Sequence, residues 1–527
     1  MQTCPCCSIG RACQQWRVDA LADSLERGVV RASGRFTASH GQGSALGMEI
    51  AEILGQSDDD EGQTRRMAMT VVVDALVFHA ALAKAEMGVP ASPERTVRGP
   101  TQFREHGTFL PSQILDEWDL ILRVNYWPIF HTSRAIIRSL PTELAADLLR
   151  LLWATAERLI AGGVTTSHDL TGAVFQRLIA DRKFLATFYT RPAAASLLAA
   201  LALPQRQPLK GPDWGDAERV AELRVGDFAC GTGTLLSTAY QRLGLLHEIR
   251  GGDPAELHPA MMARGLVGLD VLTVAVHLTA AMLAGTHPAT PFDGECLLTM
   301  PYGRHDWGVC VGSLDLLPKQ EQMSLEIFET AAQTAGGRGA EEVSDLMDRV
   351  DHSQFDLVIM NPPFTRHGAR EGDRTVVHNP AFAAFGADED EQNELAHHLR
   401  RLAAGGPAHG HAGLASYFVD LADRKTAAGG KVALVLPMTA LSGQSWEAVR
   451  SVWRERYTDQ VVVTIAQGGT HTRSFSADTG MAECLFVGTK SPPAEESPRA
   501  TFVILSDQPK DSIIGEQLAS AISATRE

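Results

Sequence analysis

The residues best suited to chemistry are Asn361, Pro362, Pro363 and Phe364, which follow directly on the apolar run Phe355–Met360. An amino nitrogen conjugated to a ring is a poor nucleophile, because its lone pair is delocalised. A site that activates it must accept both N–H hydrogens and favour a tetrahedral nitrogen. The Asn361 side-chain oxygen and the Pro362 carbonyl are two such acceptors, aimed where positive charge develops. Consecutive prolines restrict the backbone and limit reorganisation. Phe364 offers a face on which an extruded base can stack. In isolation, a turn of this composition also arises by chance.

A second polar turn lies upstream, where Val225-Gly226-Asp227-Phe228-Ala229-Cys230-Gly231-Thr232-Gly233 runs from a strand into a helix. Glycines permit a tight turn and close approach of a ligand to the backbone. The G-x-G-x-x-G and G-K-[ST] patterns of phosphate binders are absent. Asp227 instead precedes the turn, and a carboxylate there suits a cationic amino group and repels a pyrophosphate. The following strand, Gly265–Leu269, ends in Asp270. That acid is placed to accept hydrogen bonds from ribose hydroxyls or to cap the next helix, and the two roles are compatible.

The elements that must position these turns read as two domains. Residues 1–168 are helical, with apolar residues at helical spacing through Met67–Met87, Gln113–Leu140 and Thr142–Ile160, and no strand-like alternation. The first ~15 residues, which carry Cys4, Cys6, Cys7 and Cys13 without paired C-x2-C arms, read as a poorly ordered tail rather than a zinc knuckle. Residues 169–507 alternate short apolar strands with amphipathic helices. The strands are expected at Leu223–Phe228, Gly265–Leu269, Gly308–Val311, Phe355–Met360, Lys431–Leu436, Gln460–Ile465, Glu483–Val487 and Thr501–Leu505. The pattern predicts an α/β, doubly wound, mostly parallel sheet, with ligands outside the carboxyl ends of its strands. The acidic run Asp388–Glu391 and the Gly- and His-rich stretch Ala403–Gly413 read as solvated loop, and His397, His398, His409 and His411 as loop residues rather than metal ligands. Residues 508–527 read as a C-terminal tail.

Together the two turns resemble motifs of the gamma-group N6-adenine-specific DNA methyltransferases. The family includes the modification subunits of type I restriction systems and large stand-alone adenine methylases. Asp227–Gly233 is similar to its D-P-A-C-G-T-G motif, with Phe228 in place of proline, and Asn361–Phe364 to its N-P-P-aromatic motif. Phe188-Tyr189-Thr190 resembles the family's upstream F-Y-T-P element, with Arg191 inserted before Pro192. The resemblance implies a Rossmann-like methyltransferase sheet and S-adenosyl-L-methionine as methyl donor. Cofactor contacts are implied at Phe188, Tyr189, Thr190, Asp227, Ala229, Cys230, Gly231, Gly233 and Asp270. Within this motif Cys230 is a small packing residue, not a nucleophile. Asp315 resembles the acid near the target base or the cofactor adenine, with loop capping as its alternative. Phe475–Gly480 resembles the loop facing the flipped base. The implied reaction is methyl transfer to N6 of a flipped-out adenine in double-stranded DNA, within a restriction-modification or phage-defence system. Methylation of RNA or of a protein glutamine amide is the enzymatic alternative. A non-catalytic scaffold is the other.

Composition bounds these readings. Across 527 residues the net charge is -16, which argues against a protein that grips DNA over a wide basic face. Arg366, His367, Arg370 and Arg374 cluster just past the Asn361 turn, where they can meet phosphates locally. After Leu505 too few residues remain for a target-recognition domain, so recognition is expected from a specificity subunit or from a missing C-terminal segment. The most apolar helix candidate, Met67–Lys84, carries Asp74 and His79 and reads as too short to span a bilayer. With no signal-peptide pattern and dispersed Cys230, Cys296, Cys310 and Cys484, a cytoplasmic protein is expected.

Overall fold

The apolar runs of the second half condense into one eight-stranded sheet. In chain order its strands are β1 (Val225–Asp227), β2 (Leu266–Asp270), β3 (Cys296–Thr299), β4 (Phe355–Met360), β5 (Thr426–Pro437), β6 (Tyr457–Ile465), β7 (Glu483–Lys490) and β8 (Ala500–Leu505). The computed structural model describes residues 5–40, 44–54, 61–89, 92–124, 126–163, 190–205, 213–288, 290–292, 294–317, 350, 355–364, 389–466, 473–477, 481–491 and 500–526. The spatial order is β3-β2-β1-β4-β5-β7-β6-β8. Pairing is parallel from β3 through β5, β7 runs antiparallel to both neighbours, and β8 is parallel to β6. All six residues of β4 are buried, as expected of a central strand covered on both faces.

Two strand expectations change. Gly308–Val311 pairs antiparallel with Tyr302–His305 in a separate hairpin and is not a member of the sheet. The third sheet strand is instead Cys296–Thr299, a four-residue run too short to display a period. The stretch read as loop after β4 also changes, because Glu389–Leu402 is an α-helix. Acids head this helix, Arg400 and Arg401 lie in its last turn, and Leu395 and Leu399 are buried one turn apart. Both the charge order and the apolar spacing favour helix. His397 and His398 therefore sit on a helix, not in a loop.

The helices used below are α1 (Pro192–Ala202), α2 (Thr234–Ile249), α3 (Glu389–Leu402), α4 (Leu414–Lys425), α5 (Glu447–Arg456) and α6 (Ser512–Arg526). α6 occupies the segment expected to be a tail, and it packs on α1. An added Cβ at Gly515 would lie 2.4 Å from the Ala193 carbonyl oxygen, so glycine is what lets the two helices approach.

The chain divides into two units, Met1–Ala180 with Thr273–Pro291, and Asp181–Leu272 with Phe292–Glu527. The first is mainly helical, but Gly88–Val89 pairs with Ser92–Thr96 and Arg104–Glu105 with Thr108–Phe109. Ladders of two residues leave no alternation to read. Its first helix runs Pro5–His40, through the stretch expected to be a disordered tail. Its longest apolar window, Thr64–Lys84, is long enough to cross a membrane, contrary to the sequence reading, yet 78% of it is buried inside the structure. Burial is compatible with Asp74 because His277 Nε2 lies 3.0 Å from its carboxylate.

Candidate active site

The strand order reverses beside β1. From β1 the chain continues outward to β2 and β3, then crosses to β4 on the other flank. Ligands in doubly wound sheets collect at such a switch point, outside the carboxyl ends of the strands. The two polar turns found in the sequence leave β1 and β4 at this point.

After β1, the turn is built on two left-handed glycines, Gly231 (φ 54°) and Gly233 (φ 81°). Gly233 hands over to α2. Cys230 is buried in the turn; its amide donates to the Leu269 carbonyl at 2.9 Å and its carbonyl accepts from Gly233 at 2.8 Å. It is a packing residue there. Phe228, where the family motif has proline, is buried edge-to-face on Phe355, ring centroids 5.3 Å apart.

Two carboxylates brace the turn from below. Asp227 Oδ1 accepts from the Ala229 amide at 3.1 Å. Asp270 Oδ2 accepts from Gly231 at 2.9 Å, and Oδ1 from Leu272 at 3.0 Å. Each carboxylate oxygen carries two lone pairs, so these bonds leave acceptor capacity for a ligand. Burial pushes the Asp227 carboxyl well above the usual carboxylate range; the Ala229 amide opposes this and the nearby Asp270 adds to it. Burial also raises Asp270, against its backbone hydrogen bonds. Two buried acids, one of which disfavours the charge of the other, make a site in which a cation or a set of hydroxyl donors is welcome. The residues present fit a ligand carrying an ammonium group and a ribose.

After β4, Asn361 is half-buried, Pro362 is buried, Pro363 is half-buried and Phe364 is 4% exposed. Asn361 Nδ2 donates to Thr190 Oγ1 and to Ser476 Oγ, each at 3.0 Å. Both amide protons are thereby engaged, which assigns the acceptor Oδ1 to the other arm of the amide. Thr190 and Ser476 reach Asn361 because their backbones form an antiparallel bridge. Glu483, at the start of β7, shapes the second strand of that bridge, its Oε2 accepting from Phe475 and Ser476 amides at 2.7 and 2.8 Å. Burial lifts the Glu483 carboxyl to about 7. The sequence marks Thr190 as a cofactor contact and Ser476 as part of the loop facing the target base, but not their joint hold on Asn361, nor Glu483, although a lone acid heading the apolar run Glu483–Val487 is a visible anomaly.

Asp315 lies in the short 3-10 turn Gly312–Leu316 and is buried. Its Oδ2 accepts from the Val311 amide at 2.7 Å, and its Oδ1 meets His398 Nε2 at 2.8 Å. Burial raises its carboxyl, opposed first by the His398 bond. Asp315 thus ties the hairpin exit to α3. Among the described residues no His, Cys, Asp or Glu group forms a metal-binding cluster. Phe188, Tyr189, Arg366, His367, Arg370 and Arg374 lie outside the described residues.

No protein-family model matches the chain, and no curated protein does. Among solved structures, a DrdV–DNA complex determined by cryo-EM is similar over 96% of this chain and 44% of that one, with 12% identity and a TM-score of 0.53. The type IIG restriction endonuclease BpuSI is similar over 92% of this chain and 43% of its own, at 14% identity and a TM-score of 0.49. The modification subunit of a putative type I restriction enzyme from Vibrio vulnificus YJ016 is covered over 90% of its length, and this chain over 94%, at 13% identity and a TM-score of 0.46. The chain thus spans less than half the length of DrdV and BpuSI. At such identity the likeness speaks to fold alone, and the fold is α/β: a doubly wound, mostly parallel sheet, with a mainly helical unit earlier in the chain.

Proposed function

We propose that this chain transfers a methyl group from S-adenosylmethionine to the exocyclic N6 of a flipped-out adenine in double-stranded DNA. The observation that carries the reading is the pairing of two turns at one switch point. One turn presents buried carboxylates beneath left-handed glycines; the other presents Asn361 with both amide protons committed elsewhere. S-adenosylmethionine, when bound, supplies an electrophilic methyl group on a sulfonium. Asp227 would pair with its ammonium group, Asp270 would accept from its ribose hydroxyls, and Ala229 to Gly233 would form the floor. Asn361 Oδ1 and the Pro362 carbonyl accept the two N6 hydrogens, so that the nitrogen lone pair is drawn out of conjugation. Phe364 stacks on the extruded base once it enters. The choice of DNA site falls to a target-recognition domain or a specificity subunit, and the setting is a cytoplasmic restriction-modification or phage-defence system.

The test is incubation with labelled S-adenosylmethionine and, separately, DNA, RNA and a protein extract. Label is expected on adenine in DNA. Asn361→Ala is expected to lower the rate about 100- to 1,000-fold, the usual cost of one preorganised acceptor or donor at a developing charge. Label confined to RNA or protein would replace the substrate, and label that survives Asn361→Ala would overturn the mechanism.

A further inference from the structure

Arg191, the residue inserted into the F-Y-T-P element, sits at the centre of a hydrogen-bond lattice that ends on Asn361. Its amide donates to the Phe475 carbonyl at 2.9 Å. Its Nε donates to the Ser476 carbonyl at 3.3 Å, and a terminal nitrogen donates to Gln508 Oε1 at 2.7 Å. Gln508 Nε2 then donates to the Ser474 carbonyl at 2.8 Å. The segment 474–476 is therefore clasped by the guanidinium and the Gln508 amide, while Glu483 holds two of its amides.

We infer that Arg191 and Gln508 form a latch that sets the side-chain orientation of Asn361 through the Thr190 and Ser476 hydroxyls. An asparagine amide is nearly symmetric in shape, and only its hydrogen bonds decide which arm faces a substrate. A flip about the last torsion would turn Nδ2, a donor, toward an amino group that also donates. The Ser476 hydroxyl, whose proton is given to the Glu483 carboxyl, is left as an acceptor and opposes that flip, with the Thr190 hydroxyl at 3.0 Å as the second partner of Nδ2. Their positions in turn depend on the bridge between Thr190 and Ser476, which the latch closes from the side. Gln508 lies between β8 and α6, so a residue beyond the last strand acts on the turn after β4. It is a positioning residue; it does not touch the reacting atoms.

The inference rests on the methyl-transfer reading only for its kinetic test, so two measurements are made. The first is hydrogen exchange of the Asn361 side-chain amide in protein labelled with 15N-asparagine, the signal being assigned by its loss in Asn361→Asp. In Gln508→Ala and Ser476→Ala, exchange is expected to speed up about fivefold or more, as befits loss of one ordinary hydrogen bond. Ser476→Thr, which keeps the hydroxyl, is expected to restore the slow rate. The second is kinetics: kcat should fall about tenfold in both alanine variants, with the KM for S-adenosylmethionine within about twofold of wild type. Should Ser476→Ala fail to fold, half-buried Gln508 provides the same test from further away. Unchanged amide exchange in Gln508→Ala overturns the latch, and so does unchanged kcat in an active enzyme. Accelerated exchange in a protein that methylates no substrate supports the latch and sinks the methyl-transfer reading instead.

Discussion

A carboxylate taken out of water must be paired, hydrogen-bonded or protonated. Asp227, 1% exposed, receives one amide bond and faces another acid, so burial keeps its proton on to higher pH. Arrival of an ammonium group reverses that preference. Affinity for S-adenosylmethionine is therefore expected to rise with pH from the ordinary carboxylate range upward, and binding is expected to release a proton. Calorimetry in two buffers of different ionisation heat measures the release; Asp227→Asn should abolish it and weaken binding about tenfold or more. Glu483 gives a stability counterpart. Its folded carboxyl titrates at about 7 against 4.5 ordinarily, so between those values the folded state holds a proton that the unfolded chain has lost. The sign is a loss of stability as pH rises through that window, up to ~3 kcal/mol at full shift. Glu483→Gln keeps an acceptor for the two amides and removes the charge. Its melting temperature should fall less between pH 5 and pH 8 than that of wild type, and an identical fall in both proteins would refute the assignment.

At the scale of elements, α6 is held to α1 by the absence of a side chain at Gly515. Gly515→Ala places a methyl 2.4 Å from the Ala193 carbonyl, so α6 must shift. Overpacking of this kind costs about 1–3 kcal/mol, and thermal melting should register it; an unchanged melting temperature would mean that α6 is not docked as described. This helix also shows where the sequence stopped being legible. β1, β2, β4, β5, β6 and β7 are legible as apolar runs because inner strands are continuously hydrophobic, and β8, at the sheet edge, because its run Phe502–Leu505 is apolar although Phe502 and Ile504 are exposed. β3 was missed because Cys-Leu-Leu-Thr has no period, and Gly308–Val311 was misplaced because a β-branched run suits a hairpin as well as a sheet. The charges of α3 suggest solvated loop, although they are ordered as a helix prefers. Within the site, Asn361, Asp227 and Asp270 were legible because each is bound to a local turn. Thr190 and Ser476 are legible only as members of motifs; their hold on Asn361, like the parts of Glu483 and Gln508, exists only once residues far apart in sequence meet.

For the whole molecule the decisive quantity is charge. The chain carries -16, while affinity for duplex DNA comes largely from neutralised phosphates and released counterions. The sequence just past Phe364 is locally basic, but the long-range field repels the polyanion. Association of this chain alone with DNA should therefore be weak, insensitive to sequence and steeply dependent on salt. A grip made by a few arginines loses much of its affinity between about 50 and 200 mM salt, in proportion to the phosphates contacted. Methylation by the isolated chain is accordingly expected at low salt, spread over many adenines, and nearly lost at 200 mM. On the proposed reading, addition of a separate specificity subunit should restore activity at 200 mM and confine it to one sequence. Gel-shift and methylation assays across that salt range measure both effects. Tight, sequence-specific binding by this chain alone at 200 mM would show that recognition is built into it and would overturn the reading that a partner supplies it.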